Sequence, residues 1–325
     1  MALNPFLERI VKKALLSSVV AAVALVGLVN GCATDETTAA EDLLATSTVN
    51  GNGAPGLILT FDDGPRAYSA PVTYTSIIDG SKSTVASSAD LAEWMAGKGV
   101  KATFFMVGNV VAQPGGLVQL KRIAAAGHTI GSHTWAHITS PSFGALPIDK
   151  QKSEIAMNDE ILFREDGFSR NLETNDKGNA VVFLRTPGGA WDKNDAPALT
   201  AQFGNRYVGP INWDIGGDAP SADWACWSKK YNYSVDKCTE LYRQSIAAHH
   251  GKGIVLMHDI HSKSALMAMR LIEEHIQAGE EFYALSDAPK VKALMNSTSG
   301  FSQKYTSPGA GGDNHTGEHV DGDQP

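Results

Sequence analysis

Basic patches are missing from this sequence. Its 325 residues carry 27 Lys and Arg against 35 Asp and Glu, a formal net charge of −8. That balance argues against nucleic acid as a partner and, more weakly, against strongly anionic substrates. A membrane-spanning run is missing too: the apolar stretch Ala14–Val29 is short and closely flanked by Arg9, Lys12 and Lys13. Cysteine is scarce, with three residues in all, so one intrachain pair forms at most. The His-Glu-x-x-His pattern of metalloproteases does not occur either, so metal-assisted chemistry would have to find its base elsewhere. What remains is 43% hydrophobic and 19% charged. That suffices for one large globular domain of roughly 200–250 residues with extensions.

The N-terminus reads as an export signal. Basic residues, the apolar run and then Val29-Asn30-Gly31-Cys32 follow the order of a lipoprotein-type signal over residues 1–31. Cys32 then becomes the lipidated first residue of an exported, membrane-anchored protein; an ordinary secretory signal cut nearby and a retained anchor are the alternatives. In an oxidising compartment Cys226 and Cys238 could close a short loop, stabilising the chain by about 3 kcal/mol on a chain-entropy estimate. Two free buried thiols are the alternative. Residues 32–54 are polar and small, lack apolar periodicity and read as a flexible tether. The folded domain is expected over 55–295. The Gly/Ser/Asp-rich residues 296–325 read as a disordered tail, in which His315 and His319 are solvated.

Between these ends, short apolar runs alternate with helical patterns. Strands are expected at 57–61, 102–107, 128–132, 180–184, within 206–213, and at 253–257 and 282–285. Helices are expected at 88–97, 116–126, 149–163, 196–203, 235–249 and 264–277. The polar, Ser/Thr-rich stretch 66–86 reads as a long loop. This β-then-α rhythm predicts an α/β protein with a parallel sheet, open or closed into a barrel. Asp62, Asp63, His133, Arg185, Asp214 or Asp218, and His258 all fall at the C-terminal ends of expected strands. That rim is where parallel α/β barrels build active sites.

Asp62 and Asp63 follow the apolar segment Leu57-Ile58-Leu59 and precede the turn signal Gly64-Pro65. Two like charges this close repel, and a divalent cation removes that cost. One Asp then binds metal and the other acts as base; an Asp-Asp-Gly turn on the surface is the alternative. His133 and His137 are four apart, so on a helix both imidazoles would share a face. With one carboxylate they make His₂Asp, the composition of a catalytic zinc site. The same donors would accept cobalt, nickel or manganese. Trp213, Trp224, Trp227, Tyr231 and Tyr233 cluster in one segment. They could form either a glycan groove or the packing of an irregular insert.

Thr60–Pro65, His133–His137, Arg185–Gly188 and Leu256-Met257-His258-Asp259, in this order, resemble motifs of the polysaccharide deacetylases of carbohydrate esterase family four, the NodB homology domain. Lys101–Gly108 and Gly127–His133 fit the same resemblance, which covers about residues 55–290. It implies a distorted, seven-stranded (β/α) barrel, a single catalytic domain, and metal-assisted removal of N-acetyl groups from an N-acetylated glycan. The product would be a free amino sugar plus acetate. Carried over residue by residue, Asp63, His133 and His137 are the metal ligands and Asp62 the general base. Arg185 pairs with and orients Asp62, and His258 is the general acid. The backbone N–H of Gly188 serves the oxyanion, and Leu256 contacts substrate. The family usually has Tyr where Gly188 stands, and Trp191 is expected to replace that aromatic wall. Asp218 is expected to pair with His258, with Asp214 and Asp223 as alternatives. Asp259 is expected to make a structural turn contact, and His128 a structural one. The protein is read as a monomer. An O-acetyl esterase or other amidase on this scaffold, or an inactive glycan-binding lipoprotein, are the competing functions.

Overall fold

The structure, a computed structural model, describes residues 49–163 and 171–306. The signal over 1–31 and the lipidation position Cys32 lie outside the described residues. Among the described residues no helix is long and apolar enough to cross a membrane.

In chain order the strands are β1 (Leu57–Asp62), β2 (Ala67–Thr75), β3 (Lys82–Ser87), β4 (Thr103–Met106), β5 (Thr129–Ser132), β6 (Glu173–Thr174), β7 (Ala180–Phe183), β8 (Tyr207–Val208) and β9 (Gly253–His258). The helices are α1 (Ser88–Gly97), α2 (Gly108–Val111), α3 (Gly116–Ala125), α4 (Ile148–Phe163), α5 (Ala196–Phe203), α6 (Val235–Ala248), α7 (Ser262–Gln277) and α8 (Pro289–Met295).

All six residues of β1 are buried, as a strand covered on both faces of a parallel sheet must be. It pairs in parallel with β4 on one side and β9 on the other, giving the order β5-β4-β1-β9. The register is functional information: Asp62 stands directly beside His258 on β9. A bridge between Ser132 and Leu184 carries the sheet on to β7, which pairs in parallel with β8. Another bridge, Ile215 to Val255, continues it beyond β9. The result is a parallel α/β arrangement consistent with a distorted barrel, with no sheet closed among the described residues.

Helices α1, α3 and α7 cover one side of this sheet. Their Leu91, Met95, Leu120, Ile123, Met269 and Ile272 pack with Leu59, Phe61, Phe104 and Met257 in one apolar cluster. Ser87 caps α1 by accepting from the Asp90 N–H, which satisfies an otherwise orphaned donor.

Four expectations change. Residues 67–87 are not a loop but the antiparallel hairpin β2–β3, with Tyr68, Tyr74 and Val85 turned inward and buried. Only a bridge from Leu57 to Phe282 remains of the strand expected at 282–285, whereas the one expected within 206–213 is present at Tyr207–Val208. The end of the expected tether is packed: Val49 is buried, its carbonyl accepts from the Asn212 N–H, and Gly51 N–H donates to Asp214 Oδ2 at 2.7 Å. The start of the expected disordered tail is packed as well, because Phe301 is an aromatic core residue that bridges to Gly209.

Candidate active site

Asp62 and Asp63 leave the end of β1 in different directions because Asp63 has left-handed backbone, φ 72°. Asp62 turns to Arg185, which follows β7. Arg185 Nη1 donates to Asp62 Oδ1 at 2.7 Å and to Thr60 Oγ1 at 2.8 Å, and its Nε donates to the Ile211 carbonyl at 2.9 Å. The guanidinium is fully buried and lies 4.2 Å from the Phe105 ring centroid. A buried cation survives only when its donors are used, and these are. Asp62 therefore has one oxygen committed. The other, Oδ2, lies 3.6 Å from His133 Nε2 on the side of the pocket.

Asp63 meets the two histidines. Its Oδ1 lies 3.3 Å from His133 Nε2 and 3.2 Å from His137 Nε2. The three residues offer ligand atoms within 4.8 Å of one another. His133 Nδ1 donates to the Arg185 carbonyl at 2.8 Å; a carbonyl only accepts, so the Nε2 lone pair of a neutral ring points at Asp63. Asp63 Oδ1 is buried and has no hydrogen-bond partner. When both rings are neutral, lone pairs converge there, and a positive species fits among them. The donor set fits a divalent cation of the zinc type, and this carbonyl-oriented imidazole is the kind of outer partner that metal-binding histidines use. Burial pushes the Asp63 carboxyl up, but His137, His133 and His258 outweigh it and hold it well below the usual carboxylate range. Burial lowers His137 to about 4, which favours the neutral ring a ligand needs.

The histidines are not on a helix. Residues 133–137 form a loop in which Thr134 and His137 have left-handed backbone, φ 67° and φ 50°. Such strain persists only where the surroundings over-determine it. Here α4 supplies the hold. The fully buried Glu154 accepts from the Ala136 N–H at 2.7 Å through its side chain and from the Trp135 N–H through its carbonyl. Asn158 donates to the Met106 carbonyl and to Ser132 Oγ, fixing the strand ends on either side. These buried polar residues of α4 were not singled out from the sequence. Their signal was a helix with Gln, Glu, Asn and Asp on the face that should have been apolar.

His258 ends β9 and faces Asp63 Oδ2 at 3.9 Å through Nε2. The bond from its Nδ1 goes to Asp223, not to Asp218. Asp223 Oδ1 accepts from Nδ1 at 2.7 Å and Oδ2 accepts from the His258 backbone N–H at 2.7 Å. Asp223 is first in a short turn, Asp223–Cys226, that brings it under β9, whereas Asp218 is exposed. Asp214 is engaged elsewhere, accepting from the Gly51 and Ile254 N–H groups. Burial disfavours a charged His258, but Asp223, then Asp63 and Asp62, raise it to about 10. A histidine so held is an imidazolium at neutral pH, the form a general acid requires.

Trp191 does not line the cleft. It is fully buried between Phe143 and Phe301, and its Nε1 donates to the Ser302 carbonyl. The pocket walls are instead Trp213 and Trp224, with Thr139, Gly188 and Leu256 completing the rim around the reacting groups. His128 is structural: Nδ1 accepts from the Ala102 N–H and Nε2 donates to the Ala92 carbonyl. Asp259 accepts from Ser88 Oγ through its backbone carbonyl, while its side chain packs against Gly64, where a Cβ would come within 2.3 Å of a carboxylate oxygen. A disulfide joins Cys226 to Cys238.

A carboxylate paired with arginine, a convergent Asp/His/His set and a histidine held by a buried carboxylate thus meet at the C-terminal rim of a parallel α/β sheet. Residues 50–208 match the family described as polysaccharide deacetylase. A peptidoglycan-N-acetylglucosamine deacetylase of Listeria monocytogenes is 26% identical over 231 residues, 71% of this chain and 38% of that protein. A chitin deacetylase of Pestalotiopsis sp is 33% identical over 225 residues, 68% of this chain and 57% of that protein. The chain thus spans well under two thirds of the length of these relatives. The structure of the chitin deacetylase from Colletotrichum lindemuthianum shares the fold, with a TM-score of 0.55 at 20% identity, over 75% of this chain and 91% of that one. The match to the polysaccharide deacetylase family runs from β1 through β8 of this chain.

Proposed function

We propose that the protein is a metal-dependent N-deacetylase of an N-acetylated glycan of the peptidoglycan or chitin kind. The observation that carries this reading is the unpartnered Asp63 Oδ1 facing two imidazole nitrogens beside the Asp62–Arg185 pair. Asp63, His133 and His137 would hold the cation, with zinc the best match and cobalt, nickel or manganese acceptable. A divalent cation there supplies Lewis acidity, lowering the pKa of water towards about 7 and polarising an amide carbonyl.

This chain's residues do the rest. Arg185 orients the Asp62 carboxylate so that Oδ2 takes a proton from the attacking water. The water oxygen bonds to the acetyl carbon, and the Gly188 N–H stabilises the oxyanion. His258 then gives its Nε2 proton to the leaving nitrogen as the C–N bond breaks. Acetate and a free amino sugar leave. Leu256 and the walls Trp213 and Trp224 offer apolar surface to a pyranose ring. A lipid on Cys32 would keep this chemistry at a membrane surface facing the glycan, and metabolic labelling with a fatty acid compared between wild type and Cys32→Ser tests that anchor.

Acetate release from N-acetylglucosamine oligomers, before and after dialysis against chelator, tests the activity. Asp62→Asn is expected to keep its zinc and lose roughly 10²–10⁴-fold in turnover. Unaltered turnover in that variant would remove Asp62 from the mechanism.

A further inference from the structure

The acid histidine is held by a carboxylate that sits on irregular chain, and two groups on α6 grip that chain from either end. We propose that Tyr242 and the Cys226–Cys238 disulfide act together as a positioning clamp for the catalytic acid, fixing Asp223 against His258. The inference rests on the reading of His258 as the acid.

Asp223 opens the short turn Asp223–Cys226 and Cys226 ends it. The turn belongs to no strand, so no ladder of backbone hydrogen bonds sets its position. Its last residue is joined covalently to Cys238 on α6. One helical turn further along α6 stands Tyr242, on the same face. Its hydroxyl accepts from the Asp223 N–H at 3.2 Å and donates to the Leu256 carbonyl at 2.7 Å, two residues before His258. Tyr242 thereby ties the first residue of the turn to the strand that carries the acid, while the disulfide ties the last residue to the helix. Asp223, Cys226, Cys238 and Tyr242 are all buried.

The neighbouring backbone is shaped to admit this contact. Gly216 has φ +85°, and a Cβ there would lie 2.4 Å from the Leu256 carbonyl and 2.6 Å from the Tyr242 hydroxyl. Both oxygens of Asp223 are spent on His258, one on Nδ1 and one on the backbone N–H. A small rotation of the turn would break that pairing. Misplacing a group by about 1 Å from outside the reacting set can cost roughly 10²-fold in rate.

Two acetyl donors separate positioning from mere stability. The nitrogen leaving an N-acetylglucosamine oligomer must be protonated, whereas the phenolate leaving para-nitrophenyl acetate needs no proton. Tyr242→Phe and the double variant Cys226→Ala/Cys238→Ala are compared with Asp223→Asn, which removes the carboxylate itself. With the oligomer, kcat is expected to fall about tenfold for Tyr242→Phe and about 10–100-fold for the double variant, with KM unchanged. With the ester, kcat should stay within about twofold, because the acid is not needed. The far-downfield proton NMR signal of the His258 Nδ1–H should shift or broaden in both variants. Equal losses on both substrates, or none on either, would overturn the clamp. Should the double variant fail to fold, Tyr242→Phe decides alone. If the wild type released acetate from neither donor, the deacetylase reading would fall, and the NMR signal would still decide whether the clamp holds His258.

Discussion

Asp62 and Asp63 end a strand whose neighbours are fixed rung by rung, with Thr103 to Phe105 on one side and Leu256 to His258 on the other. Asp223, the partner of His258, sits on a four-residue turn between a disulfide and a tyrosine hydroxyl. The first half of the cleft inherits its geometry from the sheet, so its precision comes with folding itself. The second half is assembled from irregular chain and needs dedicated contacts to reach similar precision. One consequence is that the halves should fail differently when disturbed.

The largest effect is expected in the sheet-built half. Asp63→Ala removes the carboxylate on which both imidazoles converge. It should abolish zinc retention in equilibrium dialysis and lower acetate release by about 10³-fold or more. The His258 Nδ1–H signal should persist, since Asp223 is untouched. Loss of that signal would mean that the two halves are not separable.

A smaller effect, on stability, belongs to the other half. In the cation-free protein His258 is raised from its ordinary 6.5 to about 10, burial opposing and Asp223 favouring its charge. A group raised on folding contributes stability that is complete below the unfolded value and disappears as pH rises through the folded one. Urea midpoints should therefore decline between about pH 6.5 and about pH 10, by on the order of a few kcal/mol in free energy. Asp223→Asn should flatten that decline. A slope unchanged in this variant would detach the histidine from its partner.

The smallest effect separates wall from core. Trp191→Phe should cost about 1–3 kcal/mol through a lost bond to Ser302 and a small void, with KM for the oligomer unchanged. A raised KM at unchanged stability would return Trp191 to the cleft.

The same contrast explains what could be read in advance. The Asp62-Asp63 pair, His133, Arg185 and His258 follow apolar runs, and a strand end marks them without knowledge of tertiary contacts. The structure brings Asp62, Asp63, His133 and His258 to one pocket together with His137, with the buried Arg185 behind them on Asp62. The helical placement of His133–His137 failed because four-residue spacing also suits a loop, here one imposed by Glu154 from a distant helix. Asp223 lost to Asp218 because loop spacing carries no periodicity. The available cue was its position three residues before Cys226. In the hairpin, Tyr68, Val72 and Tyr74 keep a two-residue period, but the surrounding Ser and Thr hid it. For Trp191 the sequence offers only nearness to Gly188. Its stacking on Phe143 and Phe301 depends on residues up to 110 positions away.

Gly64 rests against Asp259 with no room for a methyl group. Through that contact the main chain just beyond the carboxylate pair touches the side chain of the residue just beyond His258. An alanine at 64 would lie outside the pocket lining, yet it would press on the Asp259 carboxylate and so disturb two neighbouring strand ends at once. Redesign of this cleft has more freedom at its outer margin than at this contact.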